Sequence, residues 1–299
     1  DIPNGVEDDP PVRIFVMGGG SGGKTIKGKL DHGGFWRIER EWPLARTRHV
    51  TYYLRQGNRL SPEPPQETDA CCSYVYDPDH PVPTISANVT GFFELVPIAE
   101  GVEEAARAFV PWRARMRSIV LPGGAHQREA PGIVGARPPY PLLAHRPDVL
   151  VFETEPLTEP IEVTGPMEVV LWVASSAPDT DFTAKLIDVY PPNEDYPEGY
   201  HLNLADSIIR CRYRNGWDHA EFMEPGQVYR VQIALPPISN RFMPGHRIRL
   251  DISSSNFPRF DLNPNTGEPM GRHTYTQKAR NTVFFDQSRP SYIILPIID

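Results

Sequence analysis

The densest cluster of residues able to do chemistry is Gly18-Gly19-Gly20-Ser21-Gly22-Gly23-Lys24-Thr25. It satisfies the G-x-x-x-x-G-K-[ST] pattern of a phosphate-binding loop and follows a strand-like run, Val12 to Met17. Such a loop holds phosphate on backbone amides at a helix N-terminus, so a helix must begin at Lys24. The next residues, Ile26 to Gly34, include Gly28, Gly33 and Gly34, which disfavours a helix. A glycine loop with a coincidental lysine is the competing reading, and the better one. Gly19-Gly20-Ser21-Gly22-Gly23 also matches the G-x-S-x-G nucleophile elbow. That motif needs a strand, a turn and a helix around the serine, and the helix fails again.

Two acidic stretches invite a metal reading. Asp261-Leu262-Asn263-Pro264-Asn265-Thr266-Gly267 begins like a calcium loop, but Thr266 and Arg272 stand where glycine and glutamate are needed. An Asx-rich turn between strands is expected instead. Asp179-Thr180-Asp181-Phe182 reads as a turn whose carboxylates accept backbone donors. The nine histidines are scattered, and none pairs with another histidine or a cysteine at ligand spacing. No metal or cofactor is therefore expected.

The elements that must position these residues read mostly as strands. Val12–Met17, Val50–Leu54, Cys72–Tyr76 and Asp148–Phe152 are apolar runs. Met167, Val169, Leu171 and Val173 form one row, and Tyr229, Val231, Ile233 and Leu235 alternate strictly. Phe182–Val189, Ile208–Arg214, Ile248–Ile252 and Tyr292–Ile298 complete the set, with Pro225-Gly226 and Pro244-Gly245 as turns. Phe35-Trp36 is expected in irregular surroundings. The clearest helical stretch is Glu100–Trp112, with Val102, Ala105, Ala106 and Phe109 on one face. Ser61 to Glu67 is proline-rich and polar, the best candidate boundary. The fold class implied is mainly β, an antiparallel jelly-roll sandwich.

Composition agrees. The 299 residues carry 34 prolines, and proline lacks an amide donor and breaks helix interiors, so a mostly helical protein is disfavoured. The formal net charge of -8 leaves no basic footprint for nucleic acid. No apolar run approaches a membrane-spanning length. Cys71, Cys72 and Cys211 suggest no disulfide framework, so a reducing, cytoplasmic setting is expected. The chain opens at Asp1 without methionine, as a fragment or processed product would.

Several stretches, in order, resemble one family. They include Val12–Gly18, Glu41-Trp42-Pro43-Leu44, Tyr52–Leu54, Tyr76-Asp77-Pro78, Pro81-Val82-Pro83-Thr84 and Arg146–Leu150. Asp179–Val189 is the most specific, supported by Arg210–Arg214, Pro244–Arg247, Ser253–Pro258, Asn263–Gly267 and Leu295–Ile298. Together they resemble the C-terminal half of the cocaine esterase / NonD hydrolases. Relatives of that family include X-prolyl dipeptidyl peptidases, glutaryl-cephalosporin acylases and α-amino acid ester hydrolases.

The resemblance implies a serine hydrolase parent whose catalytic serine, acid and histidine all lie upstream, so no catalytic residue is assigned here. It implies that residues 1–67 are the C-terminal edge of an α/β-hydrolase domain and 68–299 a galactose-binding-like jelly roll. The domain would stabilise the hydrolase domain, its expected partner, and help form homo-oligomers if the parent does. A loop after Pro81-Val82-Pro83 would line the acyl pocket; Phe92 and Phe93 are its candidate residues, with ordinary sandwich core as the competing reading. The alternative function is an independent carbohydrate-binding module, for which Trp112 and Trp217 would be free to stack on sugars.

Overall fold

The computed structural model describes residues 5, 8–86, 93–95, 116–118, 123–131 and 133–298. Among the described residues strand makes up 43% and helix 3%, so the mainly β expectation holds. The strands are β1 (Val12–Val16), β2 (Phe35–Glu39), β3 (Arg48–Arg55), β4 (Arg59–Ser61) and β5 (Cys71–Tyr76). Then come β6 (Phe93–Leu95), β7 (Met116–Ser118), β8 (Leu150–Glu153), β9 (Ile161–Ser175) and β10 (Asp181–Tyr190). β11 (Tyr200–Arg210), β12 (Tyr229–Phe242), β13 (Arg247–Ser253), β14 (Ala279–Phe284) and β15 (Tyr292–Ile298) complete the series. The helical stretch expected at Glu100–Trp112 lies outside the described residues, as do Phe92 and the side chain of Phe93.

One sheet of eleven strands dominates. Its hydrogen-bonded order is β11-β10-β13-β8-β4-β3-β15-β9-β14-β5, with β12 on β9. All its pairs are antiparallel except the short β4–β8 contact. The sheet folds over, so that β12 also packs on β10 and β11, with which it shares no ladder. Between the layers lies one core, to which β9 gives Met167, Val169, Leu171 and Val173. β12 gives Val231, Ile233 and Leu235, and β13 gives Ile248, Leu250 and Ile252. These are the alternating rows of the sequence, buried because a period of two puts every second side chain on one face.

Several local expectations are corrected. Phe35-Trp36 is strand, paired with β1 in a two-stranded ribbon. Ile208–Arg214 is not one strand: β11 ends at Arg210, and Cys211–Tyr213 forms a 3₁₀ turn. The proline-rich stretch after Ser61 joins β4 to β5, and both lie in the large sheet. β3 pairs with β15 over six residue pairs, Tyr53↔Tyr292 to Arg48↔Ile297, and its Tyr52 and Leu54 belong to the sandwich core.

Proline also shapes the ladders. The β9–β12 register shifts between Leu235 and Ile238, spanning Pro236-Pro237, and the β9–β15 register shifts between Ile294 and Ile297, spanning Pro296. Proline has no N–H to donate, so it sits at such irregularities.

Candidate functional site

The glycine stretch folds back on itself as a tight hairpin-like loop. Gly20 N–H donates to His32 O at 3.1 Å, Gly22 N–H to Asp31 O at 3.0 Å, and Asp31 N–H to Gly23 O at 2.8 Å. Lys24 bridges Leu30, so no helix begins there. The glycines serve close backbone approach. A Cβ on Gly18, whose φ is +101°, would lie 2.2 Å from Arg241 O, and one on Gly33 would lie 2.3 Å from Gly20 N. Carboxylates already hold the amides a phosphate would need. Ser21 N–H donates to Asp31 Oδ2 at 3.1 Å and Lys24 N–H to Asp195 Oδ2 at 2.8 Å. The Ser21 hydroxyl also donates to Asp31 Oδ2, at 2.8 Å, and these two bonds hold the Asp31 carboxyl below its ordinary value. Ser21 thus faces an acceptor that cannot relay its proton as an imidazole would.

The Asp179-Thr180-Asp181 segment is a buried electrostatic knot. Asp179 Oδ2 accepts Arg212 Nε at 2.7 Å and Asn263 Nδ2 at 2.7 Å, and its Oδ1 accepts Arg212 N–H at 2.9 Å. Asp181 takes a two-pronged bond from Arg210 (2.9 and 2.8 Å) and a further one from Asn263 Nδ2 at 2.7 Å. Most of the expected backbone donors are therefore guanidinium and amide side chains instead, because β11 lies beside β10 with Asp181 opposite Arg210. Burial pushes the Asp181 carboxyl up, against the pull of Arg210. The calcium-like stretch supplies Asn263 to this knot and closes as an Asx turn, Asn265 N–H donating to Asn263 Oδ1 at 2.9 Å. Among the described residues no group of three or more His, Cys, Asp or Glu could hold a metal ion.

His246 Nδ1 lies 2.8 Å from Asp188 Oδ1, and Asn240 Nδ2 donates to Asp188 Oδ2 at 3.2 Å. An imidazole on a carboxylate is two-thirds of a hydrolytic triad. Here it is buried against the Tyr190 ring, 4.1 Å between centroids, and none of the described hydroxyls bonds to it. Asp188 thus ties β10 to β12 through Asn240 and to the turn before β13 through His246.

The feature that sequence reasoning missed is the opposite face of β10, β11 and β13. Lys185 stands across from Asp206 on one side and Asp251 on the other. Such a polar row belongs in water, yet Lys185 is only 3% exposed and burial pulls its ammonium down to about 8. The stretches around Ile85 and Gln127 cover it. Gln127 accepts from Lys185 Nζ at 3.2 Å and donates to Ile85 O and Ala125 O. Arg249 reaches His201 Nδ1 at 2.8 Å and forms an ion pair with Asp251 at 2.9 Å. Arg259 pairs with Asp206, which also accepts Asn256 Nδ2 at 2.8 Å. The alternation along β10 is present in the sequence, but no local signal says that its polar side is covered.

Beside this platform lies a cleft of about 470 Å³, lined by Met17, Lys29, His32, Ser86, Gly124 and Asn203 among others. It joins the glycine loop to the two points, residues 86 and 123, that flank the segment holding Phe92 and Phe93. A larger cavity of about 730 Å³ lies elsewhere, lined by Arg37, Arg46 and Glu162. Arg37 there is spent on Glu162 (2.7 Å) and Glu39 (2.6 Å). Of the two sugar-stacking candidates, Trp112 lies outside the described residues, and Trp217 is 76% exposed and stacked on Tyr213.

Comparison with known proteins decides the family. The model of the X-Pro dipeptidyl-peptidase C-terminal non-catalytic domain matches residues 4–294. The chain belongs to this domain family. Cocaine esterase from Rhodococcus sp. is 34% identical over 300 residues, covering 97% of this chain and 42% of the esterase. A solved aminopeptidase from a marine sediment Thaumarchaeota archaeon superposes with a TM-score of 0.67 at 28% identity, over 92% of this chain and 40% of that one. A solved α-amino acid ester hydrolase gives 0.65 at 32% identity, over 88% and 39%. This non-catalytic domain thus spans about two-fifths of the relatives it matches. The family assignment agrees with the ordered motifs, of which Asp179–Val189 proves to hold the buried knot's two aspartates and the central strand of the covered face.

Proposed function

We propose that this domain is the C-terminal, non-catalytic part of a serine hydrolase acting on acyl esters or amides, and that it steadies the catalytic domain and lines one wall of its pocket. The observation that carries the reading is Ser21. Its hydroxyl is given to Asp31, while no serine among the described residues bonds to the buried Asp188–His246 pair. Hydrolysis of this kind needs a serine, an imidazole base and backbone donors for the oxyanion in one place. The catalytic domain would supply them. The relatives support the substrate class: two are named as hydrolysing esters, and one is an aminopeptidase. The cleft at Ser86 and Gly123 is the part of this domain best placed to form a pocket wall, with Phe92 and Phe93 in the segment between.

We read the folded-over sheet as a jelly roll of the galactose-binding type, with its two antiparallel layers as support. We also place the protein in a reducing compartment, the cytoplasm, a reading supported by three free cysteines. A fluorophosphonate probe tests the functional reading. The 299-residue chain is expected to remain unlabelled, and labelling that disappears in Ser21→Ala would overturn the reading.

A further inference from the structure

Large exposed apolar side chains cluster in one place. Phe15, Phe35, Trp36, Ile38 and Trp42 are all exposed, within 28 positions of the chain. Three of them share a face of the β1–β2 ribbon, because Phe15 stands opposite Trp36 and Arg13 opposite Ile38. Phe15 and Trp36 meet edge to face at 5.3 Å. The ribbon's other face is anchored to the sandwich. Val16 is buried there, Arg37 Nη1 donates to Glu162 Oε2 at 2.9 Å, and Met17 bridges Asn240. One face is therefore fixed and the other bare, with Trp36 67% and Ile38 65% exposed. Two-stranded ribbons are marginal alone, and contiguous apolar patches of more than roughly a few hundred Å² mark interaction sites.

We infer that this bare face, Phe15, Trp36 and Ile38, is the surface on which the catalytic domain of the same polypeptide docks. The inference rests on the functional reading above and adds the contact surface to it. The occupant follows from two facts. The relatives are more than twice as long as the matched region, and the matched family is the C-terminal, non-catalytic part of its proteins. In a C-terminal domain the first strands are those nearest in sequence to the catalytic portion. The tether holds that portion at high effective concentration beside the ribbon. The aromatic pair offers what an interface core prefers, large rigid apolar area.

The test uses the full-length polypeptide in a Cys71→Ser background, since Cys71 is exposed. Ile38→Cys and, as reference, Ile26→Cys on the fully exposed tip of the glycine loop are each reacted with a maleimide, folded and in urea. Folding is expected to slow Ile38→Cys by at least about tenfold, through burial that opens only on local unfolding, and to leave Ile26→Cys fast. Equal rates at the two positions overturn the docking surface. Protection of Ile38→Cys that vanishes on dilution overturns it too, by making the occupant a second copy. The functional reading is checked separately on the same samples: absence of fluorophosphonate labelling anywhere in the full-length polypeptide sinks it, whatever the maleimide shows.

Discussion

Lowering the pH should weaken this domain through two histidines before most carboxylates respond. His201 Nδ1 faces the Arg249 guanidinium at 2.8 Å, and His126 Nδ1 accepts the His201 backbone N–H at 3.0 Å. Each ring nitrogen is used as an acceptor, so each imidazole is held neutral, with its proton on Nε2. Burial is the first cause, and with neighbouring cations it pulls His126 down from 6.5 to about 4 and His201 to about 3. The unfolded chain therefore binds two protons below 6.5 that the folded chain refuses. Stability is fully present above that value and is lost as pH falls toward about 4 and about 3. At about pH 5 the loss is ~2 kcal/mol per histidine, or ~4 kcal/mol for both, from ~1.4 kcal/mol per pH unit per proton. The buried carboxyls of Asp181, Asp188 and Asp251 are raised, which gives the opposite sign, so the pair must be isolated by a variant. His201→Asn keeps an acceptor for Arg249 and does not titrate. Urea unfolding at about pH 7 and about pH 5 should show a loss smaller by ~2 kcal/mol in His201→Asn than in the unmodified chain. NMR should show two imidazoles that do not titrate in that range. Equal pH slopes in the two proteins, or both rings titrating near 6.5, would refute the reasoning.

Other outcomes follow from the same geometry. Asp179→Ala should destabilise by roughly 3–5 kcal/mol in urea unfolding, because it leaves Arg212, 4% exposed, without its charge partner. Gly18→Ala should cost roughly 1–3 kcal/mol, since alanine would have to hold φ +101° with its Cβ against Arg241 O; thermal melting reads this. Mg-ATP should leave the melting temperature unchanged, as Asp31 and Asp195 occupy the loop amides; a rise that is lost in Lys24→Ala would reverse that conclusion.

Much of the fold was legible because each long strand carries its own period. Met167 to Val173 and Tyr229 to Leu235 alternate, and both rows enter the core as expected. The errors came where period and context disagreed. The arginines of Ile208–Arg214 look like an alternating strand, yet Arg210 and Arg212 are drawn to Asp181 and Asp179, and the chain turns at Cys211 to allow it. Phe35-Trp36 carries no long alternation, and its strand exists only because β1 pairs with it. The candidate site was legible only in part. Residues of the glycine loop were found, but the carboxylate that takes the Lys24 amide, Asp195, lies 171 positions away.

The sequence by itself determined the class of fold and the absence of a phosphate-binding helix after Lys24. Glycine, proline and period-two patterning act within a few residues and need no partner. Tertiary structure alone decided that Lys185, Asp206 and Asp251 are buried, that Asn263 joins Asp179 to Asp181, and that Phe15, Trp36 and Ile38 stand bare. Those outcomes depend on strand register and on which layer covers which face. Both are set by contacts between residues far apart in the chain, to which the local pattern of hydrophobicity is blind.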